Sequence, residues 1–275
     1  MVKINKSFIR VSHLLPAALW GLVLLSLLMA RHALGDEAFS QGIAAGVLAQ
    51  AAGVVWLLAQ AWGWPGALRA GAGILILTWL AEFAGSSWGF PFGQYHYSNL
   101  LRPQVLGVPL WIPLAWLMML PPSWAAASAL LGKHARRRLV FALVSAAALT
   151  AWDLLLDPQM VAWGFWGWNA PSGYFGIPWS NYLGWLVLSG AITLLFGRPD
   201  VPGGPLLLLY GLTWGLQSVG QAFFWGQPGP ALVGFGVMGI FLIGALARSG
   251  RLAQILNPAR RDTLKENQDG SSDIR

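Results

Sequence analysis

The feature that most constrains this chain is the recurrence of apolar stretches close to twenty residues long. A helix needs about twenty apolar residues to cross the roughly 30 Å hydrocarbon core of a bilayer. Eight such runs lie at 13–30, 42–62, 70–87, 108–131, 139–157, 181–197, 204–224 and 230–248, the fourth interrupted by Pro121 and Pro122. With 56% hydrophobic and 10% charged side chains in 275 residues, there is too little polar surface to cover a water-soluble globule. The expected fold is an all-α integral membrane protein of about eight transmembrane helices, multi-pass in the cell membrane.

Positive charge orients these helices. Of the 17 Lys and Arg residues, alternate non-membrane segments hold 15 on one side and 2 on the other, a bias that marks the cytoplasmic face. Both termini are therefore expected in the cytoplasm, whereas splitting the fourth run at its prolines would reverse every later segment. The net charge of +7 reflects topology, so the expected partner is the lipid bilayer and not nucleic acid. Residues 1–250 read as a single polytopic domain. Residues 251–275, ending KENQDGSSDIR, read as a basic cytoplasmic tail without apolar periodicity, expected to be disordered. Lys3, Lys6 and Arg10 before the first apolar run also have the layout of a signal peptide, but the charge parity favours retaining that run as the first span. There is no cysteine, which removes disulfides and thiolate chemistry.

Only ten acidic residues occur, and three lie inside spans: Glu82, Asp153 and Asp157. A charged side chain near the middle of a spanning helix costs on the order of 2.5–3.5 kcal/mol to insert, so such residues face a bundle interior and mark function. Asp157 precedes Pro158, which predicts that it sits at a helix end. Counted from the cytoplasmic ends at Arg69 and Arg138, Glu82 lies 13 residues and Asp153 15 residues along their spans. All three acids therefore point to the outer half of the membrane.

The segments that follow these helices are long and aromatic. SSWGFPFGQYHYSNLLRPQVLGVP, from Ser86 to Pro109, carries one Arg; PQMVAWGFWGWNAPSGYFGIPWSN, from Pro158 to Asn181, carries no charge. They fit either an interfacial aromatic belt or re-entrant segments roofing a cavity, where irregular backbone is tolerated because protein surrounds it. A weak internal repeat favours the cavity. LGVPLWIPLAW, from Leu106 to Trp116, aligns with FGIPWSNYLGW, from Phe175 to Trp185, each following an acid-bearing helix by a similar interval. Spans three-four and five-six are thus read as two parallel copies of a two-helix unit with a site between them.

Several chemistries fail against this inventory. A retinal Schiff base needs an intramembrane lysine, but the lysines are Lys3, Lys6, Lys133 and Lys265. A di-iron centre needs clustered histidines, and His13, His32, His96 and His134 are isolated. Asp153 and Asp157 could hold a magnesium diphosphate, but the site region offers only Arg102 as a basic partner. No metal and no cofactor is expected. Acid, aromatic and water chemistry on an apolar substrate remains. Burial favours the neutral form of a carboxylic acid, and a second carboxylate one turn away favours it further in one member of the pair. One acid can then protonate an alkene, and the faces of Trp, Tyr and Phe shelter the resulting carbocation. Captured by water, the cation gives a tertiary alcohol; with water excluded, a neighbouring double bond closes a ring.

The stretches GFPFGQYHYSNLLRPQVLGVPLWIPLAW, ALTAWDLLLDPQMVAWGFWGW and GYFGIPWSNYLGW resemble the membrane carotenoid hydratases of bacteria and archaea, of the carotenoid 1′,2′-hydratase and bisanhydrobacterioruberin hydratase type. The resemblance covers roughly residues 70 to 245, and its specificity lies in FGQYHY, WDLLLDPQM and GYFGIPWSNYLGW taken together. It implies a cofactor-independent hydro-lyase of carotenoid biosynthesis, adding water across the 1,2 double bond of an acyclic carotenoid such as lycopene to give a 1-hydroxy product. Acyclic carotenoid, water and other membrane enzymes of the carotenoid pathway are the implied partners. Gln94 stands where the commoner form of the first block, PYHY, has proline, which bears on substrate preference more than on the reaction.

Topology and chemistry together predict Asp153 or Glu82 as proton donor, with Asp157 orienting water or tuning Asp153. Tyr95, His96, Tyr97, Trp152, Trp163, Trp166, Tyr174 and Asn181 are expected to line the substrate pocket. Arg102 could instead pair with one acid and remove it as a donor. A carotenoid cyclase using the same protonation, and a proton-coupled lipid or solute transporter using the acids as a relay, stay open as alternatives.

Overall fold

A computed structural model describes residues 11–249, and within them the side chains other than those of 11–13, 24 and 27–38. The first ten residues, and the tail predicted at 251–275, lie outside the described residues. The molecule is an all-α membrane bundle, with short strand pairs confined to the segments between helices.

The first helix, α1 (Val11–Trp88), runs for 78 residues but is not one rod. A straight helix would set Pro16 and Gly53 roughly 55 Å apart, yet a Cβ on Gly53 would stand 2.7 Å from Pro16. Trp20 and Val23 likewise meet Gly46, and Val55 meets Gly71. The run therefore doubles back twice. The second reversal is at Gly63, whose φ of +73° leaves the helical path two residues before Pro65.

The next helix, α2 (Trp111–Leu131), is the centre of the bundle, buried continuously from Trp116 to Ala127 and packed on α1 and on the helices that follow it. Pro121 and Pro122 do not split it. A proline inside a helix cannot donate to the carbonyl four residues back, so Pro122 leaves Met118 O unserved. Gln50 of α1 donates its Nε2 to that carbonyl at 3.3 Å. A neighbouring side chain thus re-satisfies the backbone inside the bundle.

A 3₁₀ turn (Gly132–Arg136) leads to α3 (Arg138–Ala162). Here one sequence expectation is corrected: Asp157 is not at a helix end, because α3 continues through Pro158 to Ala162. The physical reason is the same device. Pro158 frees Leu154 O, and the Tyr174 hydroxyl donates to it at 3.2 Å. The bundle is completed by α4 (Trp179–Phe196), α5 (Gly203–Val219) with one π turn at Gly220–Phe224, and α6 (Pro228–Arg248). Among the described residues, five stretches are long and apolar enough to cross a membrane: Phe39–Trp88, Trp111–Arg136, Arg138–Ala162, Trp179–Phe196 and Pro228–Arg248, with Leu14–Val23 a shorter apolar helix.

The two aromatic segments are tied to each other. Strand β1 (Tyr95–Tyr97) pairs antiparallel with β4 (Trp166–Trp168), in the register Tyr95 to Trp168, His96 to Gly167 and Tyr97 to Trp166. Between them, β2 (Gln104–Val105) and β3 (Val108–Pro109) form a hairpin. Its two turn residues, Leu106 and Gly107, have φ of +50° and +81°, as a type I′ turn requires. Phe175 and Gly176, at +50° and +88°, repeat this geometry between the bridged pair Tyr174 and Ile177.

Candidate active site

Helix α1 ends in the turn that carries Phe92 into the bundle. A Cβ at Gly85 would lie 2.7 Å from the Phe92 ring and 2.8 Å from the Tyr95 hydroxyl, and one at Gly184 of α4 would lie 2.7 Å from the other edge of Phe92. These two glycines let the ring wedge between α1 and α4, which sets the height of β1 above the bundle. Side chains alternate along a strand, so Tyr95 and Tyr97 point inward and His96 outward. Across the strand pair, Trp166 and Trp168 share the inward face, and Tyr95 packs 5.7 Å from Trp168 and Tyr97 6.0 Å from Trp166 between ring centroids.

Beneath this roof lies a cavity walled by Phe92, Trp111, Trp116, Trp152, Trp163, Trp166, Trp168, Trp185 and Trp225. The aromatic segments therefore cover an interior space and do not form only a belt at the membrane surface. Trp116 and Trp185, the last residues of the two similar stretches, stack face to face at 3.8 Å, with Trp152 edge-on to Trp185 at 6.1 Å.

All three intramembrane acids are buried, and two of them, Glu82 and Asp157, line this cavity. Glu82 accepts Tyr95 at 2.5 Å and Tyr97 at 2.7 Å on Oε2, and the Trp116 indole at 3.0 Å on Oε1. Burial first, then the nearby Glu82 charge, holds both tyrosine hydroxyls well above the usual phenol range; they stay protonated as donors. Three donors on one carboxyl group fix its orientation and leave about one lone-pair position open to the cavity. Opposite it, Asp153 and Asp157 are joined by Asn181, whose Nδ2 donates to Asp153 Oδ2 at 2.9 Å and to Asp157 Oδ2. Trp166 Nε1 donates to Asp157 Oδ1 at 3.1 Å, while Asp153 Oδ1 is buried without a partner. The two aspartates thus share the Asn181 amide as a common donor. Among the described residues, no Lys, Arg or His lines the cavity. Among the described residues, no three His, Asp or Glu side chains converge in a way that could hold a metal ion.

Of the residues singled out from the sequence, Glu82, Asp157, Tyr95, Tyr97, Trp152, Trp163, Trp166 and Asn181 line the cavity. Asp153 sits one layer behind, reached through Asn181. His96 is corrected: it is exposed on the outer face of β1, with Nδ1 3.1 Å from Asn169 Oδ1. Tyr174 is also outside the cavity, held by its bond to Leu154 O, because the proline in α3 requires that donor. Arg102 bonds Asn99 Oδ1 at 3.0 Å and pairs with no acid among the described residues. Sequence reasoning passed over Phe92, Trp116, Trp185, Gln159 and Gln217, all cavity residues. The shared tryptophan closing both similar stretches was an available signal for Trp116 and Trp185; the glutamines offered none.

Residues 41–199 match the family model described as Carotenoid biosynthesis protein. Bisanhydrobacterioruberin hydratase of Haloarcula japonica is 36% identical to the chain over 132 residues, 46% of this chain and 45% of the relative. The match thus spans less than half of that protein's length. No solved structure matches the chain.

Proposed function

Because this chain belongs to the carotenoid biosynthesis protein family, we propose that it is a cofactor-independent hydratase, adding water across the 1,2 double bond of an acyclic carotenoid end group. The observation that carries this reading is the carboxyl pair Asp153–Asp157, bridged by the Asn181 amide beside a tryptophan-walled cavity that no basic side chain lines among the described residues. The hydratase name of the Haloarcula relative supports the same reaction class.

In this mechanism Asp157, the member of the pair that lines the cavity, delivers a proton to C2 of the end group. The π electron pair forms the new C–H bond and leaves a tertiary cation at C1. Trp116, Trp166 and Trp185 present faces that stabilise a cation without forming a bond to it. Glu82, held by its three donors, faces the cation as a fixed carboxylate and takes the proton that the attacking water sheds. The three acids then hold one proton in total, as before the reaction, and its return from Glu82 to the aspartate pair completes the cycle. Glu82 accepts three donors and Asp157 two, surroundings that fit a base and an acid set apart by their environments.

The topology is proposed as eight crossings in one polytopic domain over 1–250, with both termini cytoplasmic. Phe39–Trp88 supplies two crossings through its reversal at Gly63; Leu14–Val23, α2, α3, α4, α5 and α6 supply one each. The matching turns at Leu106–Gly107 and Phe175–Gly176, with the stacked Trp116 and Trp185, support two parallel copies of one unit around the site. Cell membrane, lipid and neighbouring pathway enzymes complete the proposed setting.

The test is expression in cells that accumulate lycopene, followed by mass spectrometry of the pigments. Products heavier by one water per reacted end are expected. A ring-closed isomer of unchanged mass would replace hydration with cyclisation, and solute movement in liposomes without covalent change would favour a transporter.

A further inference from the structure

We propose that the side-chain amide of Gln159 is the anchor for the water molecule that adds to the substrate, an assignment that rests on the hydration reading above. Gln159 is 4% exposed and lines the cavity on α3, two residues beyond Asp157. At about 100° per residue, the two side chains leave the helix about 160° apart, with Leu156 and Met160 between them on the same cavity wall. The acid and the amide therefore flank the space where the end group would lie.

Two groups of fixed character determine which way this amide points. The Trp152 indole can only donate, and its Nε1 gives a hydrogen bond to Gln217 Oε1 at 2.9 Å. That turns Gln217 Nε2 toward Gln159 Oε1, at 2.8 Å. The Leu155 carbonyl can only accept, and it takes Gln221 Nε2 at 2.5 Å, the same nitrogen that reaches Gln159 Oε1 at 3.0 Å. The π turn at Gly220–Phe224 contains Gln221 and brings it into line with Gln217 against α3. Gln159 Oε1 is thus held by two donors, and the orientation of its amide is settled. Its NH₂ group has no partner among the described residues, and the side chain belongs to the cavity wall.

The Tyr95, Tyr97 and Asn181 donors in the cavity wall are engaged by the acids, so an N–H presented by Gln159 selects an oxygen atom and gives nothing to a hydrocarbon. An acyclic hydrocarbon end group brings no oxygen, so the ligand that fits is water. One lone pair of that water accepts the Gln159 N–H, the other forms the C–O bond at C1, and the released proton goes to Glu82. Without the anchor, the cation formed by Asp157 loses a proton from C2 or an adjacent methyl group and returns to an alkene.

The experiment compares wild type with Gln159→Met and Gln159→Glu in membranes supplied with lycopene in D₂O. Met keeps the volume without a donor, and Glu keeps the two bonds from Gln217 and Gln221 without an N–H. Two products are read: the hydrated carotenoid, and deuterium in recovered lycopene, which reports protonation that reverses. Hydration is expected to fall about tenfold or more in both variants, the scale of a hydrogen bond to a reacting group, while deuterium uptake persists or rises. Hydration at the wild-type level in both variants overturns the assignment, as does an equal fall in hydration and deuterium uptake, the signature of a structural role. Normal hydration of lycopene with loss confined to oxygen-bearing substrates also overturns it, since the amide would then read a substrate oxygen. A wild-type protein giving neither product refutes hydration itself, and the anchor with it.

Discussion

Replacing Asp157 by Asn separates the chemical role of this carboxyl group from its structural one. In the native site Asp157 accepts two donors, the Asn181 amide and the Trp166 indole. An asparagine has one acceptor oxygen, so it can satisfy one of these and must turn its own NH₂ toward the other. A buried donor left without an acceptor costs about 1–3 kcal/mol, which lowers the folded yield without abolishing it. The effect on turnover is larger. Loss of a positioned general acid reduces rate by about 10²–10⁴, or about 2.7–5.4 kcal/mol of barrier at 1.36 kcal/mol per tenfold. The assay is hydrated product per folded molecule, with folded protein counted by size-exclusion chromatography in detergent. Asp157→Asn turning over within tenfold of wild type, per folded molecule, would refute proton delivery by Asp157.

The other variants divide along the same line. Tyr174→Phe leaves Leu154 O without the donor that Pro158 made necessary, so the melting temperature should fall, at a cost of about 1–3 kcal/mol, with turnover per folded molecule retained. Gly85→Ala puts a Cβ 2.7 Å from Phe92 and 2.8 Å from the Tyr95 hydroxyl; overpacking costs about 1–3 kcal/mol, and pushing Tyr95 away from Glu82 should reduce hydration as well as stability. His96→Ala, on the outer face of β1, should change stability by no more than about 0.5 kcal/mol and leave the product pattern intact. A lost product there would place His96 back in the chemistry.

Much of this architecture is legible in the sequence because the bilayer imposes coarse, additive rules. Helix length, the Lys and Arg bias and the cost of Glu82, Asp153 and Asp157 inside apolar runs are each read from one stretch of chain. Their gathering around one cavity follows from being on the same end of neighbouring helices. What escaped depends on pairs far apart in sequence. Pro158 looks like a helix stop until Tyr174, sixteen residues on, supplies the missing donor; Pro122 looks the same until Gln50 does. His96 lies in the right segment but on the wrong face, a matter of strand register that only the pairing with Gly167 decides. Gln159 and Gln217 carry no local pattern, and their role follows from the hydrogen-bond direction imposed by Trp152.

The central claim is that water enters the product at a site assembled from Asp157, Glu82 and the tryptophan walls. Incubating enzyme-containing membranes with an acyclic carotenoid in oxygen-18 water tests it most directly. The account predicts a tertiary alcohol carrying one oxygen-18 per reacted end group, lost in Asp157→Asn. An unlabelled ring-closed isomer, or labelled alcohol formed equally by Asp157→Asn, would contradict it.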